Sequence, residues 1–149
     1  MNYASEHKSK TKKLITLFLI AAIVLGVILL SSCGKSTDLS TLAGRQAFLQ
    51  SLGWEIDPES EDMRSVQLPD SLGGMMTEYN EIQLSQGYDL SAHLGEQCQQ
   101  YTYLVCNYPD ESQTVLATLY IQGNQVIAGD IHSTALNGFM HGLTKTEAE

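Results

Sequence analysis

The sequence predicts an α+β domain: two helices packed on an antiparallel β-meander of at least three strands, behind an N-terminal signal or anchor helix. Three observations carry this. From Gln97 onward, three runs rich in Tyr, Thr, Val and Ile are separated by Pro109–Ser112 and by Gly123-Asn124, the composition and punctuation of strands and turns. Before them lie two apolar stripes at helical spacing, each closed by a glycine. At the front stands a charge-free run, Leu14–Leu30, behind a cluster of lysines.

The leader comes first in the chain. Lys8, Lys10, Lys12 and Lys13 precede the 17-residue apolar run, which ends in Leu30-Ser31-Ser32-Cys33. Two readings follow. In one, 1–32 is a signal peptide, and the small residues before Cys33 form a lipobox whose cysteine thiol takes a lipid before cleavage. In the other, the run is an uncleaved single-pass anchor, at the lower length limit for spanning a bilayer. Both keep the lysines inside and place the rest at the outer face of the cytoplasmic membrane. Residues 33–41 then serve as a linker and 42–149 as one extracytoplasmic domain.

Within that domain, Asp38 or Ser40 is expected to cap a first helix, whose stripe is Leu42, Ala43, Phe48, Leu49 and Leu52, with Gly53 as its stop. Trp54–Asp57 reads as a short extended exit, Pro58–Asp62 as a solvated acidic loop, and Ser65–Leu68 as a short strand ended by Pro69. Asp70 or Ser71 is expected to cap the second helix, which runs to Ser85 with Leu72, Met75, Met76, Tyr79, Ile82 and Gln83 on one face. Gly73-Gly74 weakens its first turns by about 1 kcal/mol per glycine, and Gly87 closes it. Strands follow over Gln97–Tyr108, Thr114–Ile121 and Gln125–His132.

The register of the last hairpin sets two cues against each other. A two-residue Gly123-Asn124 turn pairs Gln122 with Gln125 and Ile121 with Val126. It thereby puts Val126, Ala128, Asp130 and His132 on the face of Val115, Ala117, Leu119 and Ile121. One further residue would flip the third strand and match Ile127 and Ile131 to that face instead. Turn chemistry is the more direct backbone signal, so the first register is expected. Asp130 would then be partly buried and would accept from backbone N–H groups of the Ser133–Gly138 turn.

Charge excludes one class of function. Beyond the leader, 16 acidic residues stand against 4 basic ones, a net charge of −12. A nucleic-acid partner needs a basic footprint, so none is expected.

The runs Arg45–Glu55, Gly87-Tyr88-Asp89-Leu90, Tyr101-Thr102-Tyr103, Asn107-Tyr108-Pro109, Gly129-Asp130-Ile131 and Leu136–Leu143 together resemble a family of bacterial membrane-anchored proteins, the domain of unknown function numbered 4830. The resemblance spans about Ala43 to Leu143. It implies an exported domain and brings no catalytic assignment.

Candidate chemistry is sparse. Asp130 and His132 share a strand face, and with His141 they could supply a small extracytoplasmic hydrolase. No GxSxG turn presents a serine nucleophile, however, and Ser133 falls on the opposite face. The histidine spacings match no zinc motif, and the acidic loop lacks the glycine and ligand alternation of an EF-hand, so neither metal nor cofactor is expected. Cys98 and Cys106, on one strand about 26 Å apart, are beyond disulfide reach, and Cys106 reads as a small core residue. Phe139, Met140 and Leu143 must be covered, by packing back on the sheet or by a partner, while His141 reads as a surface group. With no nucleophile beside a base, the leading expectation is a non-enzymatic binding or accessory domain, tethered to the cell membrane through lipid at Cys33 or through the anchor helix. It would meet a protein or peptide partner through Asp130, His132, Phe139, Met140 and His141.

Overall fold

A computed structural model of the chain describes residues 37–110 and 112–145. The leader, Cys33 and the lipobox lie outside the described residues. No helix among the described residues is long and apolar enough to cross a membrane.

Helix α1 spans Leu42–Ser51. Its cap is Thr41, whose Oγ1 accepts from the Gly44 N–H at 3.1 Å. The expected caps do other work: Asp38 accepts from the Ser40 N–H and hydroxyl, tightening the turn before the helix. The stop is as expected. Gly53, at φ +90°, lets its own N–H reach the Gln50 carbonyl and the Trp54 N–H reach the Leu49 carbonyl, both at 3.0 Å.

Strand β1 is Ile56–Gln67, longer than expected, and it absorbs the acidic stretch that the sequence suggests is a loop. The ladder steps from Asp57–Leu104 to Asp62–Thr102, so four residues, Pro58–Glu61, face Tyr103 alone. Their polar groups hold the bulge. The Ser60 hydroxyl donates to the Asp57 carbonyl and accepts from the Leu104 N–H, and Glu61 turns inward to Arg45 and Tyr103.

Helix α2 is Met75–Ser85, followed by a single 3₁₀ turn over Leu90–His93. It starts later than Asp70 or Ser71 because Gly74, at φ +54° and ψ −128°, breaks any helix across it. Strands β2 (Gln97–Val105), β3 (Val115–Gln122), β4 (Gln125–Ser133) and β5 (Met140–His141) complete an antiparallel sheet in the order β1-β2-β3-β4-β5. The meander is therefore an α+β fold of five strands. The Gly138–Leu143 run folds back on it as the fifth, and Leu143 is buried.

Alternation along the strands gives the sheet two dissimilar faces. One carries Tyr103, Val115, Ala117, Leu119, Ile121 and Ile131 against Leu49 of α1, Trp54 and Leu143. The other carries Cys98, Ile127 and Ala128 against Leu68, Leu90, and Met76 and Tyr79 of α2. Each fully buried aliphatic side chain is worth about 1.5–3 kcal/mol. Cys106, one residue past β2, is exposed; Cys98 is the buried thiol, and both are free. The expectation for Cys106 failed because the main core takes the odd positions of β2, Tyr103 and Val105, not the even ones.

The β3–β4 hairpin satisfies both cues that the sequence sets in conflict. The Gly123-Asn124 turn pairs Gln122 with Gln125 and Ile121 with Val126. Then Tyr120 pairs with Ala128, so Ile127 is an extra residue, a β-bulge. Beyond it the strand is flipped: Ile131 joins Ala117 on the α1 face, while Asp130 pairs with Thr118 and His132 with Leu116 on the α2 face. The expected placement of Asp130 and His132 with Val115, Ala117 and Leu119 is thus corrected, because the bulge lets the apolar pattern prevail over the register of the turn.

A groove between helix and sheet

Past the bulge, β4 presents Asp130 and His132 to α2. Tyr79, on the inner side of that helix, donates its hydroxyl to Asp130 Oδ2 at 2.7 Å. The other carboxylate oxygen, Oδ1, lies 2.7 Å from His132 Nδ1. Asp130 is buried, and its donors come from a helix and a neighbouring imidazole rather than from the Ser133–Gly138 backbone expected for it. Within that turn the Ser133 hydroxyl accepts from the Ala135 N–H, and no hydrogen bond joins it to His132 among the described residues.

These contacts set the protonation states. The hydrogen bond with Asp130 raises the pKa of His132; burial opposes it, and the Asp130 charge adds to it. Burial pushes the Tyr79 hydroxyl far above its usual range, and the Asp130 charge adds to this, so Tyr79 remains a donor. The Tyr120 ring meets Tyr79 edge to face at 6.2 Å, and its hydroxyl accepts from Gln100 Nε2 at 3.0 Å. A polar line thus crosses the sheet from β2 to β4.

Above that line opens a groove of about 640 Å³. Its walls are apolar: Val66, Leu68, Pro69, Met75, Met76, Ile82, Leu90 and Met140. Its floor is polar: Gln100, Thr118, Tyr120, Tyr79, Asp130 and His132, with Glu78 exposed at the rim. An apolar cleft with a few convergent polar groups is the usual form of a small-molecule site.

The structure divides the residues singled out in the sequence. Asp130, His132 and Met140 come together here, since Met140 pairs directly with His132 across β4 and β5. Phe139 and His141 do not. His141 pairs with Ile131, on the other face, where its ring stacks on Phe139 at 5.5 Å and lies near Tyr108 and Trp54. It is half-buried rather than a surface group, because the C-terminal run is fixed by Trp54 Nε1 donating to the Leu143 carbonyl at 2.6 Å. The three-residue set of Asp130, His132 and His141 for a hydrolase is therefore not assembled. No cluster of three His, Cys, Asp or Glu among the described residues is placed to hold a metal.

Two polar arrangements were not among the sequence candidates. Gln83 Oε1 accepts from the Gly129 N–H and Gln86 Nε2 donates to the Gly129 carbonyl, while Gln86 Oε1 accepts from the Leu143 N–H. The amides of Gln83 on α2 and of Gln86 at its C-cap thus pair with β4 backbone beyond the reach of the short β5. Gln83 Nε2 itself has no partner among the described residues. A glutamine inside the apolar stripe of α2 was the one available signal. On the opposite face, buried Arg45 donates to Tyr103, to the Leu39 carbonyl and to Glu61. Burial works against the Glu61 carboxylate, but hydrogen bonds from Tyr103 and Arg45 outweigh it and hold its pKa below the usual value.

These features define a single α+β module, a five-stranded meander with one helix on each face and a groove under the second. The chain belongs to the family described as domain of unknown function DUF4830, whose model matches residues 48–131. No curated protein and no solved structure matches it.

Proposed function

We propose that this protein is a binding domain tethered at the outer face of the cytoplasmic membrane, with the groove between α2 and the sheet as its ligand site. The observation that carries the reading is the buried Asp130, held by Tyr79 and His132 at the polar floor of a cleft with apolar walls. A carboxylate is costly to bury, and here both its oxygens are engaged, so it orients His132 and is itself closed to a ligand. Among the described residues none beside His132 supplies a nucleophile, which favours binding over acyl transfer. The tether is the lipid on Cys33 or the uncleaved Leu14–Leu30 run, and the lysine cluster before that run supports the outward orientation.

One experiment reads both parts. In a Cys106→Ser background, a cysteine replaces Met75, Met140 or the exposed Leu136, and intact spheroplasts are treated with a membrane-impermeant maleimide. The label is read at the introduced cysteine by peptide mass spectrometry, apart from Cys33 and Cys98. All three positions are labelled from outside, and those at Met75 and Met140 react more slowly in the native membrane than in purified protein. No labelling until the cells are lysed contradicts the outward placement. Equal rates before and after purification at all three positions contradict a groove ligand. Fatty-acid labelling that is lost in Cys33→Ala distinguishes the lipid tether from the anchor helix.

A further inference from the structure

We infer that the groove takes an apolar molecule ending in a single anionic head, a monocarboxylate in the simplest case, and that His132 Nε2–H receives that head. The inference rests on the groove being a ligand site and adds the chemistry of the ligand. Asp130 engages Nδ1, which leaves Nε2 on the far side of the ring, with no protein partner among the described residues. Among the described residues His132 is the only lining side chain that can carry positive charge, and the Asp130 hydrogen bond favours its protonated form. The Asp130 carboxylate with a protonated imidazole is neutral overall, its second oxygen is satisfied by the Tyr79 hydroxyl, and the positive end of that pair, Nε2–H, is the end left to a ligand. The remaining ionisable groups at the groove are Tyr79 and Tyr120, both held protonated by burial, and Glu78, which sits in water at the rim where screening weakens its repulsion. A charged head against a protonated imidazole makes a charge-assisted hydrogen bond, and the methionine-rich walls adapt to a flexible chain.

Full-length protein in phosphatidylcholine nanodiscs is titrated with octanoate and, separately, with octanol. The imidazole nitrogens of His132 and the methyl groups of Met75, Met76 and Met140 are followed by NMR, with empty discs as the partition control. Octanoate is expected to move the methyl and imidazole signals saturably, with an affinity about tenfold above that of octanol. His132→Gln is expected to keep octanol binding and lose the preference. Equal affinities, or a preference that survives His132→Gln, overturn the anionic head while leaving the groove as a ligand site. Methyl signals that respond to neither compound overturn the groove reading and this inference with it.

Discussion

The Tyr79 hydroxyl donates to the Asp130 carboxylate at 2.7 Å across 51 residues of chain, and it joins α2 to the flipped half of β4. The bond exists only because Ile127 is a bulge, since without the extra residue Asp130 would face α1. Removing one partner strands the other in a buried site. Tyr79→Phe and Asp130→Ala are each expected to lower stability by about 1–3 kcal/mol. In denaturant melts the double variant should lose less than the sum of the two, because both deletions break the same bond.

The His132–Asp130 pair links stability to pH. The folded-state pKa of His132 is raised above its unfolded value, near 6.5. Its contribution is therefore complete below about pH 6.5 and is lost as pH rises through the raised folded value. Denaturant midpoints of wild type measured from pH 5.5 to 8.5 should fall relative to those of His132→Gln, whose curve lacks this step. Parallel curves would mean that the imidazole carries no differential charge.

Gly129 is required by packing rather than by its dihedral angles. A Cβ there would lie 2.6 Å from Leu143 Cδ1 and 2.8 Å from the Thr118 carbonyl. Gly129→Ala should cost about 1–3 kcal/mol, as overpacking does. It should also loosen the C-terminal run, read as faster hydrogen exchange at Leu143, whose N–H otherwise donates to Gln86. Unchanged stability would show that Leu143 can move aside at no cost.

Much of this architecture is legible in the sequence, because its signals are local. Gly53 and Gly87 end their helices, Gly123-Asn124 makes its turn, and Tyr-, Thr- and Val-rich runs form strands. What is not legible depends on partners far along the chain. The Ile127 bulge reconciles a turn signal with an apolar pattern, and no residue type announces it. The acidic Pro58–Asp62 stretch looks solvated until Arg45 and Tyr103 are seen to draw Glu61 inward. The spacing of Asp130 and His132 marks them as a pair on one strand face. Tyr79, the group that makes their surroundings a site, resembled one more core aromatic on a helix stripe. His141 sits only nine residues beyond His132, yet pairing of Met140 with His132 sends it to the opposite face.

The thiols provide a check on β2. Cys106 is exposed and should react with iodoacetamide at the rate of a free peptide thiol, while Cys98 is buried, with its pKa pushed up by that burial, and should react only on unfolding. Mass spectrometry of peptides from native and denatured protein checks this. Rapid modification of Cys98 in the native state would open the core under α2.

The surface around His141 is now expected to be structural. Its ring stacks on Phe139 in a cluster with Tyr108 and Trp54, so His141→Ala should destabilise by about 1 kcal/mol rather than by the few tenths typical of an exposed histidine. Groove occupancy should be unaffected, since the two faces of the sheet are separate.

The groove as ligand site is tested most directly by native mass spectrometry of the protein released from its own membranes, compared with a variant carrying Met75→Trp and Met140→Trp. Both methionines line the groove and both are exposed, at 83% and 47%, so the bulky replacements reach into the cleft without entering the core. The wild type is expected to carry one non-covalent small molecule per chain, and the variant to melt at the same temperature with the adduct missing. A wild type that is free of any adduct, or a variant that retains it in full, would contradict the assignment of this groove as the site of function.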